Sequence, residues 1–210
     1  MRLVVPSPRA LATEVEVQRV VWKVTEVVPH PTGHTEEEQD ILCGILNAVS
    51  DAVDRILGGS ALEQVRTERY DGGWRWILLR AAPVWEVLEV KEGGVPLPPT
   101  AYLVYRDEAA LRRRNGTFSG GPQGVEVTYR AGWATQVRDA QNALVAVTYR
   151  PGGEGIRHAV LLWCKALWDV GPALYTYQIS ETGVLLSRNA EIPPAVAAIL
   201  AQYRRPQSVL

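Results

Sequence analysis

The sequence predicts an α+β fold, in which a small helical bundle carries an inserted antiparallel β-sheet or hairpin region. Two helix-like apolar patterns predict it, one on each side of a long stretch of strand-like segments. We expect one domain spanning residues 1–210, with helical parts at 12–58 and 155–205 and the β region at 62–150. A C-terminal helix and a tail over residues 206–210 complete it.

Two capping boxes place the starts of the first helices. Thr13 with Glu16, and Thr35 with Glu38, have the spacing in which each side chain bonds the other residue's backbone N–H. Valines at helical spacing extend the first pattern to Val28, after an irregular arm over residues 1–12. So many β-branched residues lower helix propensity, which leaves a strand open as the alternative here. The second pattern is a wide apolar stripe that stops at a glycine pair.

The β region is predicted from turn residues and β-forming segments. Asp71-Gly72-Gly73 indicates a hairpin that joins the segments on either side of it. Further strands are expected at 84–91, 102–105 and 125–130.

Two further segments complete the β region. Residues 106–124 are expected to form a polar loop with one helical turn around 109–111. Residues 145–152 echo residues 125–132, which predicts an added strand in the same sheet.

Composition narrows the class of protein. The net charge of -1 argues against a nucleic-acid polycation, and no apolar run approaches the roughly 18 residues that span a bilayer. The N-terminus lacks a signal-peptide core, which predicts synthesis in the cytosol. Cys43 and Cys164 lie among apolar residues and are interpreted as buried thiols rather than a disulfide.

No catalytic, metal or cofactor site is predicted. Of three histidines, His30 and His34 lie in a Pro/Gly loop and lack the shared helical face of a zinc pair, and His158 stands near a helix start. No nucleophile elbow or phosphate-binding loop is present. We therefore expect a protein that is not an enzyme.

Aromatic and basic residues are the candidates for contacts. Seven Trp and eight Tyr suit protein interfaces. Trp74 and Trp76 are expected on one face of a strand, either in a sheet core or against a partner, and apolar residues on its other side suggest that both faces are covered. Arg112, Arg113 and Arg114 could touch phosphate, although a solvated loop tip is the favoured interpretation.

The order of four segments carries a family resemblance. They are the helix 40–57 with Gly58-Gly59; Thr67-Glu68-Arg69-Tyr70-Asp71-Gly72-Gly73 leading through Pro83-Val84; Val125-Glu126-Val127-Thr128-Tyr129-Arg130-Ala131-Gly132-Trp133; and Ile156-Arg157-His158-Ala159 followed by Ile192-Pro193-Pro194. Together they span residues 12–205, and this order resembles the head–tail connector (adaptor, head-completion) proteins of long-tailed bacteriophages.

The resemblance implies a structural protein of the virion, assembled in the host cytoplasm. Such a protein forms a ring, of twelve subunits in the virion, beneath the portal protein, extends the DNA channel, and meets the next connector, stopper or tail-completion protein. DNA passes through without sequence-specific binding, and neither a cofactor nor a membrane is implied. Residues 134–155 depart from the pattern, which predicts a larger sheet than usual.

Three sets of residues are the candidate contacts of such a ring. The C-terminal segment is assigned to the portal, because an amphipathic helix with a polar tail commonly orders on binding. Arg112–Arg114 is assigned to the lumen, and Trp74, Trp76 and Trp85 to a subunit or partner contact. The portal set is Ile192, Val196, Ile199, Leu200, Tyr203, Arg204 and Arg205.

A different class of protein remains open from the residues alone. Trp74 and Trp76 could form a stacking platform in a β-rich carbohydrate- or peptide-binding module on a helical base. A strict monomer that binds glycans would favour that alternative over a ring.

Overall fold

The computed structural model describes residues 6–23, 35–119, 121–170, 178–180, 183–185 and 192–204. The chain divides into two compact units. The sandwich unit is Leu62–Trp133, and the helical unit combines Met1–Ala61 with Ala134–Leu210. The described residues form helices and antiparallel strands, so the predicted α+β class is confirmed.

In chain order, the helices and strands are α1 Glu14–Trp22, α2 Glu36–Leu57, β1 Gln64–Tyr70, β2 Trp76–Leu78, β3 Val84–Glu92, β4 Val95–Pro96, a 3-10 turn Pro99–Ala101, β5 Tyr102–Tyr105, β6 Ala110–Arg113, β7 Val125–Ala131, β8 Ala134–Arg138, β9 Leu144–Tyr149, α3 Glu154–Val170, β10 Gln178–Ser180, β11 Gly183–Leu185 and α4 Pro194–Ala201.

Both predicted capping boxes are confirmed. The Thr13 hydroxyl accepts from the Glu16 N–H at 3.2 Å while Glu16 Oε2 accepts from the Thr13 N–H at 2.7 Å, and Thr35 and Glu38 repeat the arrangement. Helix α1 ends at Trp22, earlier than the valine pattern suggested. Residues 24–34, including His30 and His34, lie outside the described residues.

The end of α2 also follows the prediction. Gly58 adopts φ 75° there, and its N–H bonds the Arg55 carbonyl at 3.3 Å. Glycine is favoured in this left-handed conformation because it has no Cβ to clash.

Helices α1, α2, α3 and α4 pack together in the helical unit. Their shared core is made of one apolar stripe from each helix. Cys43 and Cys164 are buried within it as free thiols, as predicted. Trp22 of α1 meets Trp168 of α3 edge-on, with ring centroids 5.7 Å apart.

The sandwich unit contains two antiparallel sheets that share one core. Their strand orders are β1-β7-β3-β4 and β2-β6-β5. Strand β7 alternates buried and partly exposed residues along its whole length, so one of its faces lies against the other sheet. The core residues are Ile77, Leu79, Val84, Val90, Tyr102, Ala109, Leu111, Phe118, Val125, Val127, Tyr129 and Ala131.

The predicted hairpin around residues 71–73 is wrong. Strand β1 pairs with β7 over its full length, from Gln64 opposite Ala131 to Tyr70 opposite Val125, and β2 pairs with β6. The turn instead carries the chain from one sheet to the other. The turn residues indicated that the chain reverses direction and pairs locally. Strand β1 pairs instead with the distant strand β7, which has one face buried in the shared core.

The predicted helical turn around residues 109–111 is also wrong. Residues 110–113 form strand β6, which lies between β2 and β5. Ala109, Ala110 and Leu111 are almost completely buried. Backbone groups at that depth need partners, and two flanking strands supply them.

The echo strand does not join the larger sheet. Strand β9 pairs with β8 in a separate two-stranded sheet, from Ala134 opposite Tyr149 to Arg138 opposite Leu144. This hairpin belongs to the helical unit, so the two compact units divide at residue 133, whereas strand patterning continues to about residue 150.

Candidate interaction surfaces

The outer face of the three-stranded sheet is largely apolar and partly exposed, although Ala110 at its centre is buried. Its rows of paired residues run Trp76–Arg112–Leu103 and Leu78–Ala110–Tyr105, since directly opposed residues point to the same side. Trp76 is 45% and Leu78 52% exposed, whereas Ile77 between them is buried in the core. We call Trp76, Leu78, Leu103, Tyr105 and Arg112 the aromatic face.

Side chains on the aromatic face already support one another. The rings of Trp76 and Tyr105 lie 4.9 Å apart between centroids, and the Arg112 guanidinium lies over the Trp76 ring at 5.4 Å. A cation on an aromatic ring is favourable by about 0.5–1 kcal/mol at exposed sites. The Trp76 ring is therefore held in place, with one of its faces covered by Arg112.

The other two candidate tryptophans lie in different surroundings. Trp74 precedes β2 and is 69% exposed. Trp85 is half-buried, and its indole N–H donates to the Gly132 carbonyl at 2.6 Å. Trp74 and Trp76 therefore do not lie in a sheet core, and no layer of the described residues covers them. Trp85 instead binds the backbone just after β7.

The arginine triplet is not one solvated loop tip, because Arg112 and Arg113 lie in strand β6. Arg113 Nε is 3.3 Å from Glu92 Oε1, and its Nη1 donates to the Ala101 carbonyl at 3.1 Å. Only Arg114 of the three is exposed. The assignment of all three to a DNA-facing lumen remains a prediction. The charge of Arg113 is already balanced in part by Glu92.

The outer face of the four-stranded sheet is charged. Glu126 lies between Arg69, at 3.2 Å, and Lys91, at 3.4 Å. Hydrogen bonds from Arg69 and then Lys91 hold the pKa of Glu126 below its usual value. Thr67 and Thr128 share a hydroxyl hydrogen bond of 3.0 Å beside this ladder. Because each sheet turns its inner face to the shared core, the charged and aromatic faces look outward on opposite sides of the unit.

A polar cluster lies at the inner edge of the sandwich. Glu68 Oε2 accepts hydrogen bonds from Tyr129 Oη at 2.8 Å and from Tyr70 Oη. The two hydroxyls accept in turn from the N–H groups of Ala81 and Arg80, each at 3.0 Å. Burial raises the pKa of Tyr129 to about 12 and raises that of Tyr70 as well. Sequence reasoning missed this cluster, although the alternation along β1 places Glu68 and Tyr70 on one face.

The predicted portal residues divide by burial. Val196 and Leu200 are fully buried in the helical unit, where α4 packs on α3. They hold the chain's own core together and are not available to a partner while α4 stays packed. Exposure is greater at Ile192, which is 37% exposed, and at Arg204.

The remaining portal candidates are partly accessible. Ile199 and Tyr203 are half-buried. Arg204 Nε donates to the Ile56 carbonyl at the end of α2, at 3.1 Å. Arg205 lies outside the described residues.

Within the described part of the chain, no cluster of three His, Cys, Asp or Glu side chains could hold a metal ion. The same residues contain no helix that is long and apolar enough to cross a bilayer. His158 is exposed on α3.

Comparisons with known proteins give structural matches. No protein-family model matches the sequence, and no curated protein matches it. A chain from the virion of a native gene transfer agent (GTA) particle superimposes with a TM-score of 0.57 and 16% identity, covering 97% of this chain and 94% of that one. The fold of the two chains is the same.

Two necks of GTA particles contain the same fold. A chain of the neck of an empty particle, computed with C6 symmetry, matches with a TM-score of 0.57 and 15% identity over 97% of this chain and 94% of that one. A chain of the neck of a native particle, computed with C12 symmetry, gives 0.51 and 16% over 80% and 83%.

Proposed function

We propose that this chain is a structural subunit of the neck of a phage-like particle, where it forms a ring that joins head to tail. The observation that carries the proposal is the fold shared with chains of GTA virions and necks over almost the whole length of both chains. The order of sequence motifs points to the same class of protein independently of the structure.

A ring subunit needs two different, complementary surfaces that face in different directions. The sandwich unit has two outward surfaces of different character, its aromatic face and its charged face. Trp76 and Leu78 are each about half exposed on this face, and exposed apolar side chains that lie together suit a contact surface. We propose that the aromatic face contacts a neighbouring subunit or the next ring, and that twelve copies close the ring.

The portal contact is proposed at the C-terminal end of the helical unit. Ile192 and Arg204 are exposed there, and the chain continues for six residues beyond Arg204. Deleting residues 205–210 leaves the hydrogen bond between Arg204 and Ile56 in place, so the fold should survive. Co-purification with the portal protein should then weaken, and unchanged co-purification would count against the assignment.

The proposed role is mechanical, not catalytic, and the ring extends the channel for DNA. A net charge of -1 suits a passage in which DNA slides, because many phosphate contacts would hold it. Tight, salt-sensitive binding of duplex DNA by the purified protein would contradict this part of the proposal.

Native mass spectrometry of the protein, alone and mixed with the portal protein of the same particle, tests the ring. The expected species with portal contains twelve copies of this chain. A Trp76→Ala, Leu78→Ala variant should lose ring contacts, and Val145→Ala, at an exposed apolar position of the helical unit, is the control. A strict monomer under both conditions that binds glycans would overturn the ring and favour a carbohydrate-binding module.

A further inference from the structure

The first described residues of the chain lie in a groove made by two distant segments. Residues 6–12, which we call the arm, pack between helix α2 and the β8–β9 hairpin. Ala10, Leu11 and Ala12 are fully buried there. The contacts with the hairpin join residues more than one hundred positions apart.

The groove binds the arm by its backbone. On the α2 side, Asn47 Oδ1 accepts from the Ser7 N–H at 2.8 Å, and Ser50 Oγ accepts from the Leu11 N–H at 3.0 Å. Helix α2 therefore satisfies backbone donors of a segment that forms no helix or strand of its own.

The hairpin side satisfies the acceptors. Gln136 Nε2 donates to the Ala10 carbonyl at 2.7 Å, and Arg138 Nη2 donates to the Ser7 carbonyl at 2.9 Å. The Tyr149 hydroxyl donates to the carbonyl of Leu11. Acceptors on the helix wall and donors on the hairpin wall thus bracket the arm.

The hairpin wall is set up by contacts that do not involve the arm. Arg138 Nη1 donates to the Asn142 carbonyl at 2.8 Å, and its Nε donates to Gln136 Oε1 at 3.2 Å. Asp139 Oδ1 accepts from the N–H groups of Gln141 and Ala143, which closes the turn. The hairpin therefore aims Gln136 and Arg138 at the arm through its own hydrogen bonds.

The helix wall is prepared in the same way. Ser50 Oγ donates to the Leu46 carbonyl one turn earlier, at 2.8 Å, which leaves its lone pairs directed at the Leu11 N–H. Side chains whose remaining bonds lie within their own element keep their orientation when the ligand leaves, and binding then costs less ordering entropy.

We propose that α2, β8 and β9 form a preorganised peptide-binding groove and that the arm is its resident, exchangeable ligand. The groove accepts a short non-helical peptide with small or medium apolar side chains, recognised through its carbonyl and N–H groups. This assigns a role to residues 134–149, and it does not depend on the proposed place of the chain in a particle.

The exchange is tested in the full chain with Leu11→Asp, because a carboxylate at this buried position should expel the arm. A fluorescent peptide of residues 1–13 should bind the variant and not the wild-type chain, whose tethered arm is present at an effective concentration on the order of millimolar. The same peptide carrying Leu11→Asp should bind at least about tenfold more weakly. If the folded variant does not bind the wild-type peptide, or if both chains bind it equally, the proposal is wrong.

A second variant covers the case in which Leu11→Asp fails to fold. Tyr149→Phe removes the hydroxyl donor to the Leu11 carbonyl and leaves the Arg138 and Asp139 contacts of the hairpin in place, and Val137→Ala on the outward side of β8 is its control. By hydrogen exchange, the Leu11 amide should exchange about fivefold or more faster in Tyr149→Phe, whereas the β8–β9 ladder amides keep their wild-type rates. An unchanged Leu11 amide, or equal acceleration of the hairpin, would show that no separate groove exists.

Discussion

Tyr129→Phe should destabilise the sandwich unit more than its small size suggests. The Tyr129 hydroxyl donates to Glu68 Oε2 at 2.8 Å and accepts from the Ala81 N–H at 3.0 Å, and the residue is fully buried. The phenylalanine ring fills the same volume and leaves no cavity. Only the two hydrogen bonds are lost.

The expected magnitude follows from what each partner loses. Glu68 loses the hydrogen bond from Tyr129 but keeps the one from Tyr70. The lost bond should therefore cost about 1.5 kcal/mol, the lower end of the range for hydrogen bonds to charged groups. The Ala81 N–H loses its acceptor in a half-buried site, which costs about 1 kcal/mol. We therefore expect the free energy of unfolding to fall by about 2–3 kcal/mol.

Urea unfolding followed by tryptophan fluorescence measures the loss, with Thr128→Val as the control. Thr128 is the preceding residue along β7, and its hydroxyl pairs with Thr67 on the outer face of the sheet. That change should cost less than about 1 kcal/mol. If Tyr129→Phe unfolds within about 0.5 kcal/mol of the wild type, within the range of ordinary surface changes, the hydrogen bonds of the polar cluster do not stabilise the fold.

Three further predictions concern backbone space, pH and thiol reactivity. Gly132→Ala should lower the free energy of unfolding by about 3 kcal/mol or more, because Gly132 has φ +140° and a Cβ there would lie 2.5 Å from a backbone Cα atom just before β1. Gly94 has φ +83° and no atom within 4 Å of its added Cβ, so Gly94→Ala should lower it by only about 1–2 kcal/mol. Thermal melts of both variants measure the difference. Because burial raises the pKa of Tyr129 from about 10 to about 12, the folded state keeps this proton while the unfolded state loses it. The contribution of the Tyr129 proton to stability is then complete below pH 10 and is lost towards pH 12. Over that pH range, the urea midpoint of Tyr129→Phe should fall less steeply than that of the wild type, and identical slopes would contradict this. Cys43 and Cys164 are buried, and burial raises the pKa of the Cys164 thiol, so a thiol reagent should react only as fast as the helical unit opens; immediate reaction in native buffer would show that the core is not closed.

Local signals in the sequence predicted the helices well. A capping box such as Thr13 with Glu16 involves residues three positions apart, and an apolar stripe repeats within one helix. Gly58 likewise marks the end of α2 by its own backbone conformation. Such features need no knowledge of the rest of the chain.

Pairing between distant segments was beyond the same signals. Strand β1 matches β7 about sixty residues later, although the turn after β1 favoured a hairpin. Gln136 reaches the carbonyl of Ala10 across a separation of 126 residues. In each case, burial of one face and satisfaction of backbone groups decide the partner, and these become visible only when the chain is folded.

The candidate contact residues show the same limit. Alternation predicted that Trp74 and Trp76 share one face of a strand, but β2 begins at Trp76, and only the structure shows that both side chains are exposed. The apolar stripe of α4 was equally compatible with a partner or with the chain's own core. Val196 and Leu200 are buried in that core, which leaves Ile192 and Arg204 as the accessible part of the predicted portal surface.

Electron cryo-microscopy of this chain mixed with the portal protein of the same particle tests the proposed ring most directly. We expect a closed ring of twelve copies, coaxial with the portal, in which the aromatic face of each sandwich unit is covered by a neighbour or by the next ring. A portal that carries no copies of the chain, or a bound chain without rotational symmetry about the portal axis, would contradict the proposed ring.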